Sequence, residues 1–291
     1  MFEQLGLIGC GLMGGSFALA LKKHGLVKRV VGYSKSPSTT EKARQMGVID
    51  VEAPSALLAV SGADIVLLAV PVAATEPTLK AIKHLVNAKT LLMDVGSTKR
   101  DVVEAARRTL GTHLGTFVPA HPITGKEVAG IEHADADLYQ GRQVILTPIE
   151  RTLTVQLKQA ESVWRALGCT TRLMSPDAHD AAYAAVSHLP HLLAFAYMNG
   201  VTAQALADQY LALAGPGFRD FSRIAASSPE VWRDIFSANR EELLAQSRAF
   251  RAALDALENA MLHGTPDDVA RLILQASDAR SRWKPSTPDA R

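Results

Sequence analysis

The stretch LGLIGCGLMGGS, residues 5–16, follows almost directly on the start of the chain and contains the pattern G-x-G-x-x-G at Gly9, Gly11 and Gly14. The apolar residues before the first glycine predict a buried strand, and the run after the last glycine favours a helix. A strand, a glycine turn and a helix in this order are typical of a dinucleotide-binding site. A second apolar run follows, so we predict a bound dinucleotide rather than a plain turn.

Each glycine of this turn has a different expected task. Gly9 permits the tight turn, Gly11 lets the backbone approach a pyrophosphate, and Gly14 allows the helix to pack closely on the strand. The N–H groups at the start of the helix, at Leu12 and Met13, would face the phosphates.

The first half of the chain alternates strand and helix patterns. Most of the predicted strands are continuous apolar runs, which is typical of a parallel sheet covered on both faces. Strand–helix–strand repetition with short loops predicts an α/β fold with a doubly wound, Rossmann-type domain over residues 1–150. The predicted strands cover 2–8, 27–33, 65–70, 90–95, 117–120 and 143–147, and the helices 38–46, 54–61, 74–85 and 99–109.

The second half reads as helices after one short strand at 170–174. We predict an all-helical substrate and dimerisation domain over residues 151–281 and a flexible tail over 282–291. The predicted helices cover 177–199, 203–214, 229–237 and 239–263. In the last of these, an apolar stripe packs either inside the domain or on a second subunit, and we favour a homodimer. The stripe comprises Leu243, Phe250, Leu254, Leu257 and Met261.

Composition narrows the functional class. The net charge of +2 is too small to indicate binding to nucleic acid or to an acidic membrane surface. No run of 18 apolar residues is present, we expect no signal peptide, and the two cysteines, Cys10 and Cys169, form no metal-binding pattern. We therefore expect a cytoplasmic protein with reduced cysteines and no metal.

Ligands of a doubly wound sheet bind beyond the carboxyl ends of its strands. Ser34, Pro71, Ser97 and His121 all follow predicted strands. Val70, at the end of the third strand, is also assigned to the cofactor site.

Four segments carry polar groups that are candidates for catalysis or ligand binding. Ser97 lies in DVGSTK (94–99), where it serves either as a helix cap or as a polar group at the sheet edge. His121 opens HPITGKEVAG (121–130), at the expected nicotinamide end of a cofactor. SHLPH (187–191) places a proline in a helical pattern, which predicts a kink or a shaped site. GPGFRDFSRI (215–224) predicts a loop with two arginines, which either bind carboxylates or form ordinary surface ion pairs.

Taken together, these motifs resemble those of the prephenate/arogenate dehydrogenase family. They occur in the family's order from Gly6 to Trp232, and the last runs on as Gly-Phe-x-Asp-x-x-Arg-Ile-Ala-x-Ser-x-Pro-x-x-Trp. The resemblance implies a Rossmann domain, a helical dimerisation domain, and the oxidative decarboxylation of prephenate or arogenate in tyrosine biosynthesis, with NAD or NADP as cofactor.

The resemblance also implies roles for individual residues. His121 matches the catalytic base, and Ser97 matches a serine that hydrogen-bonds the substrate hydroxyl and the nicotinamide end. Arg223 matches the arginine that holds a substrate carboxylate, and His191 matches a histidine that lies near the substrate side chain. Gly125 and Glu127 complete the implied substrate site, with Glu127 at its mouth. The sequence leaves open which carboxylate Arg223 holds and whether the substrate is prephenate or arogenate.

The end of the second strand bears on the choice of cofactor. Enzymes that use NAD place an acidic residue about 20 residues beyond the glycine turn. Here that region reads Ser34, Lys35 and Ser36, and no carboxylate follows before Glu41. Two hydroxyls and an ammonium group suit a 2′-phosphate, so we favour NADP, with the use of both cofactors as the alternative.

Two other functions compete with this interpretation. Rossmann dehydrogenases of the β-hydroxyacid or imine-reducing kind carry a lysine, or an aspartate or tyrosine, on the helix where this chain has His188 and His191. A regulator that senses NAD(P) would need neither His121 nor Arg223.

Overall fold

A computed structural model of the chain describes residues 1–126 and 128–284, and the first half forms a six-stranded sheet. Its strands are β1 (Phe2–Ile8), β2 (Val27–Tyr33), β3 (Val51–Glu52), β4 (Ile65–Leu68), β5 (Leu91–Asp94) and β6 (Phe117–Val118). All neighbours are parallel, in the order β3-β2-β1-β4-β5-β6. The order reverses between β1 and β4, which is where such sheets form a ligand-binding crevice.

Helices cover both faces of this sheet, which confirms the doubly wound prediction. Side chains that alternate along β4 divide between two cores, with Ile65 and Leu67 on one face and Val66 and Leu68 on the other. The helices of this half are α1 (Leu12–Lys23), α2 (Pro37–Gln45), α3 (Ala56–Val60), α4 (Thr75–Ile82) and α5 (Arg100–Leu110).

A small second sheet extends the first domain. It contains β7 (Ala120–Pro122), β8 (Gln143–Leu146) and β9 (Thr170–Leu173), and α6 (Thr154–Ala166) connects β8 to β9. β8 pairs antiparallel with β7 and parallel with β9. Trp164 of α6 packs with its ring centroid 5.0 Å from that of Phe17 in α1 and 5.3 Å from that of Tyr139.

The expected domain boundary at residue 150 therefore falls between elements that share one core. Trp164 and Cys169 belong to the same buried cluster as Leu5 and Leu7 of β1. We propose instead that the boundary lies near residue 174, after β9.

The remaining described chain is helical. Its helices are α7 (Pro176–Tyr183), α8 (Leu189–Thr202), α9 (Ala207–Ala212), α10 (Pro216–Ser222), α11 (Pro229–Ala238), α12 (Arg240–His263) and α13 (Pro266–Arg282). A π-helical turn, Ala184–His188, joins α7 to α8. Across residues 1–126 and 128–284, no helix has the length and apolar character needed to cross a membrane.

Two predictions of local structure were wrong. The segment 215–224 is not a loop, because Gly215 is the N-cap of α10 and Pro216 is its first residue, a position that suits proline. Helix α13 was missed, although Thr265 and Asp268 form a capping box at its start. It ends at Arg282, the first residue of the predicted tail, and residues 285–291 of that tail lie outside the described part.

The apolar stripe of α12 is mostly uncovered in a single chain. Leu243 is buried, whereas Phe250, Leu254 and Met261 are 38%, 42% and 73% exposed. Further apolar side chains are exposed nearby on α12 and α13, at Leu262, Ile273 and Leu274. Packing inside the described domain therefore does not account for the stripe.

Candidate active site

The glycine turn connects β1 to α1 and fits the phosphates of a dinucleotide. Gly9 has a φ of +97°, and a Cβ on Gly14 would lie only 2.1 Å from the Gly9 carbonyl oxygen. Gly11 is the N-cap of α1, and the space where its Cβ would lie is open, so a ligand can approach the backbone. The N–H groups of Leu12 and Met13 follow in the first helical turn, where a helix supplies no backbone acceptor.

The end of β2 lies beside this turn. The Ser34 hydroxyl accepts a hydrogen bond of 2.8 Å from the Cys10 N–H, and the Ser34 N–H donates to the Thr40 hydroxyl at 3.1 Å. Ser34 thus braces the glycine turn. Lys35 and Ser36 are exposed immediately before α2.

A buried ion pair fastens the end of β5 to β7. The Lys99 ammonium, which has no exposed surface, donates to the Asp94 carboxylate and to the Ala120 carbonyl oxygen, the latter at 2.9 Å. Asp94 also accepts from the Ala120 N–H at 3.0 Å and from the Gly96 N–H at 2.8 Å. Half-buried Ser97 lies in the loop that these bonds hold. The backbone directly before His121 is therefore fixed to the edge of the main sheet.

His121 lies on β7 and ends a chain of three hydrogen-bonded side chains. Its Nδ1 is 2.8 Å from Nε2 of His179 on α7, and Nδ1 of His179 is 2.8 Å from a carboxylate oxygen of Asp180. Tyr183 packs against both imidazoles, with ring centroids 4.9 Å from His121 and 4.5 Å from His179. The imidazole of His121 is half-buried, whereas that of His179 has no exposed surface.

Electrostatics keeps His121 neutral. Burial lowers its pKa well below the usual 6.5, and charge on His179, Lys99 or His188 lowers the pKa further. Burial also lowers the pKa of His179, but there the Asp180 carboxylate acts in the opposite direction. A neutral imidazole can accept a proton from a hydroxyl group.

Asp180 also caps helix α5 from the helical domain. Its two carboxylate oxygens accept the N–H groups of Lys99 at 2.8 Å and Arg100 at 2.9 Å. Ser97 is therefore not the cap of this helix, and the first of the two roles predicted for it is wrong. Arg100 forms a further ion pair with Glu242 of α12 at 3.1 Å, so the two domains meet at this point.

The two histidines of SHLPH lie in different environments. His188 is buried, and its Nδ1 accepts a 3.1 Å hydrogen bond from the Asn239 amide, so it links the π turn to the start of α12. Half-buried His191 donates from Nδ1 to the Ser187 carbonyl at 2.9 Å and stacks on Trp232, with centroids 3.5 Å apart. His191 therefore keeps Nε2 as an acceptor, and Pro190 is the second residue of α8, which begins directly after the π turn.

The other predicted site residues are more scattered. Arg223 begins a 3₁₀ turn after α10 and is near enough to His191 to lower the pKa of that imidazole, though less than burial does. Gly125 is exposed with open space around it, and Val70 is half-buried beyond β4. Glu127 lies outside the described residues.

Sequence reasoning gave no role to Asp94, Lys99, His179 or Asp180. The first two stand in the DVGSTK motif and could have been paired, because a buried strand end followed by a lysine needs a partner for the charge. No local pattern marks His179 and Asp180. Among residues 1–126 and 128–284, no group of three or more potential ligand side chains could hold a metal ion.

Buried His188 should make stability depend on pH. Burial lowers its pKa from 6.5 to about 4, so below pH 6.5 the unfolded chain takes up a proton that the folded chain does not. Its contribution is therefore fully present above pH 6.5 and falls away toward pH 4, by about 3 kcal/mol in all. Urea unfolding at pH 7.5 and 4.5 should show a smaller loss in His188→Gln than in the native protein or in the exposed control His84→Gln. Equal losses in all three proteins would contradict this assignment.

Comparisons with known proteins point to the same family in both halves of the chain. Residues 17–173 match the family described as prephenate dehydrogenase, nucleotide-binding domain, and residues 175–275 match prephenate dehydrogenase, dimerization domain. The chain is 32% identical over 282 residues to a prephenate dehydrogenase of Bacillus subtilis, covering 96% of this chain and 76% of the relative. It is also 32% identical over 286 residues to a cyclohexadienyl dehydrogenase of Zymomonas mobilis, covering 98% and 97%.

A solved structure is similar over the whole length. It is a prephenate dehydrogenase from Aquifex aeolicus in complex with hydroxyphenyl propionate and NAD⁺, with a TM-score of 0.89 and 33% identity. The match covers 97% of this chain and 98% of that one.

Proposed function

The chain belongs to the prephenate dehydrogenase family, and from that premise we propose that it oxidises and decarboxylates prephenate or arogenate with His121 as the base. Membership makes the protein an oxidoreductase of tyrosine biosynthesis with a nicotinamide cofactor. The observation that carries the proposal is the position of His121, a neutral imidazole at the edge of the dinucleotide-binding sheet and beside the helical domain.

The substrate groups have matching partners in the chain. Prephenate and arogenate carry a ring hydroxyl, a ring carboxylate and a side-chain carboxylate. His121 accepts the hydroxyl proton, and Ser97 hydrogen-bonds the same oxygen. Arg223 binds a carboxylate through its guanidinium group, and His191 contacts the side chain through Nε2. When bound, the nicotinamide accepts the hydride from the carbinol carbon.

Decarboxylation needs no further catalytic group. Oxidation of the carbinol leaves a ring ketone, and loss of carbon dioxide makes the ring aromatic, so the reaction is essentially one-way. Holding substrate and cofactor in the right relative orientation supplies much of the remaining rate.

The activity is tested by absorbance at 340 nm. Purified protein is mixed with prephenate or arogenate and with NAD⁺ or NADP⁺, and release of carbon dioxide is followed in parallel. We expect one of the four pairs to give rapid reduction with equimolar carbon dioxide. Binding of cofactor without turnover on either substrate would instead indicate a cofactor sensor.

Replacing Arg223 with alanine should mainly raise KM. The variant loses a charge-assisted hydrogen bond to a substrate carboxylate, which predicts an increase in KM of about 10- to 100-fold. The matched control is Arg219→Ala, which removes an exposed arginine paired with Asp220 on the preceding helix. A rise in KM that is the same in both variants would remove the carboxylate assignment.

We propose NADP as the preferred cofactor. Ser34, Lys35 and Ser36 gather two hydroxyls and an ammonium group beside the glycine turn, and α2 starts directly after them. The start of a helix favours an anion such as a 2′-phosphate. The Aquifex aeolicus relative was solved with NAD⁺, and use of both cofactors remains the alternative here.

A Ser34→Asp variant should reverse this preference. A carboxylate can still accept the Cys10 N–H, so the turn keeps its brace, but it repels a 2′-phosphate. We expect kcat/KM for NADP to fall about 10²-fold or more, because unfavourable like-charge contacts cost several kcal/mol. Ser34→Asn is the neutral control of the same size. A native preference for NAD, or an unchanged NADP preference in Ser34→Asp, would contradict the proposal.

We also propose that the protein is a homodimer through its helical domain. The second family match is to a dimerization domain. The exposed apolar side chains of α12 and α13 supply the kind of surface that a subunit interface buries.

A further inference from the structure

We propose that Asp180, His179 and His121 form a closed proton relay, in which His179 holds the substrate's hydroxyl proton equivalent and returns it to the product. The proposal rests on the proposed function. It assigns to the helical domain a part in the chemistry as well as in binding.

Hydrogen-bond donors and acceptors fix the resting state of this chain. The Asp180 carboxylate accepts from the N–H groups of Lys99 and Arg100 at the start of α5. Burial raises the pKa of Asp180, but the hydrogen bonds from His179 and from these N–H groups outweigh burial, and the pKa is lowered. Asp180 is therefore ionised and only accepts, so the proton between it and His179 belongs to Nδ1 of His179.

The tautomer of His179 determines which nitrogen of His121 is free to accept a proton from the substrate. A neutral His179 with a proton on Nδ1 has only a lone pair on Nε2, which lies 2.8 Å from Nδ1 of His121. Nδ1 of His121 must donate there, so its Nε2 carries the lone pair that faces a reacting hydroxyl.

Charge is better placed on His179 than on His121. The groups that act on His121 are His179, Lys99 and His188, and each of them opposes a positive imidazole. Burial and Lys99 oppose a charge on His179 too and lower its pKa, but His179 alone of the two has a carboxylate partner, Asp180 at 2.8 Å, and Asp94 also favours its charged form. Tyr183 packs its ring against both imidazoles, and His179 has no exposed surface.

The proton balance closes without a path to solvent. The substrate O–H proton moves to Nε2 of His121 while the Nδ1 proton of His121 moves to Nε2 of His179. The O–H electron pair becomes the ring C=O bond, and the carbinol hydrogen leaves as hydride to the nicotinamide. Loss of carbon dioxide then returns electrons to the ring oxygen, which takes back a proton as both transfers reverse. The complete burial of His179 fits a store of this kind, because no proton has to leave the site.

The variant His179→Gln distinguishes storage of a proton by His179 from positioning of the His121 imidazole. A glutamine amide can donate to Asp180 and accept from His121, so it preserves the tautomer of His121, but it cannot carry the charge. We expect the single-turnover rate of reduction at 340 nm to fall about 10²-fold, with KM and the cofactor Kd little changed. The control is His84→Gln, the same substitution at an exposed histidine, which should retain the native rate.

Single-turnover rates in mixtures of H₂O and D₂O show how many protons move in the oxidation step. Two protons move in the native enzyme, so its single-turnover rate should depend on the deuterium fraction along a curve, whereas His179→Gln should give a straight line. A straight line in the native enzyme would overturn the relay even if the variant did not fold. So would a variant that retains its rate within about twofold. A native enzyme inactive on both substrates would instead overturn the proposed function, and the relay with it.

Discussion

Replacing His121 with asparagine should lower kcat by about 10² to 10⁴, the usual worth of a general base. Asparagine can still hydrogen-bond to His179, so the local packing survives, but it cannot accept the hydroxyl proton. Because the glycine turn, where we propose that the phosphates bind, is remote from His121 in sequence, the cofactor Kd should stay close to its native value. Steady-state kinetics at 340 nm and a cofactor titration measure the two quantities separately.

The control for this experiment is His84→Asn, the same substitution at an exposed histidine. It should leave kcat unchanged. If His121→Asn kept its kcat, another group would have to take the proton, and both the base assignment and the relay would fail. If cofactor binding were lost together with kcat, the effect would be structural, and the role of His121 as a base would be unsupported.

The parts of the fold that were predicted correctly depend on contacts between neighbours in sequence. The glycine turn could be found because Gly9, Gly11 and Gly14 stand in one short segment between a strand and a helix. The strands β1 and β2 were predicted with the bounds that the structure has, since each ends in a short apolar run. β3 was missed because two residues are too short for any periodic pattern.

The proton relay could not be predicted, because it depends on contacts between distant segments. Asp180 is 81 residues from Lys99, whose N–H it accepts, and His179 is 58 residues from His121. Before the two domains are docked, a histidine and an aspartate side by side on α7 look like an ordinary polar patch. The cap of α5 illustrates the same point, since Ser97 is the nearer candidate by sequence but Asp180 accepts the N–H groups at the start of the helix.

The Gly215-Pro216 pair shows a different kind of error. Both residues are common in loops, but glycine at an N-cap and proline at the first helical position are equally typical of a helix start. The structure has the helix. Since Arg223 follows at the end of α10, the correction places it on a regular element next to His191 instead of on an irregular loop.

The second large effect concerns the pair of Lys99 and Asp94. Lys99→Met should lower the free energy of unfolding by about 3 to 5 kcal/mol, the usual cost of leaving one member of a buried ion pair alone. Asp94 is only 2% exposed, so water cannot replace the lost ammonium group. The same substitution at Lys28, whose pair with Glu3 is exposed on both sides, should cost less than about 1 kcal/mol.

A double variant separates the charge from the shape of this site. In Asp94→Asn/Lys99→Met no charge remains, and the amide oxygen can still accept the Ala120 N–H, so part of the lost stability should return. Urea unfolding of the four proteins measures these differences. Equal losses in Lys99→Met and Lys28→Met would mean that the buried pair adds little. Because Lys99 also binds the Ala120 carbonyl, directly before His121, the single variant should lose activity even at temperatures where it is folded. The ion pair would then hold the base in place as well as stabilise the fold.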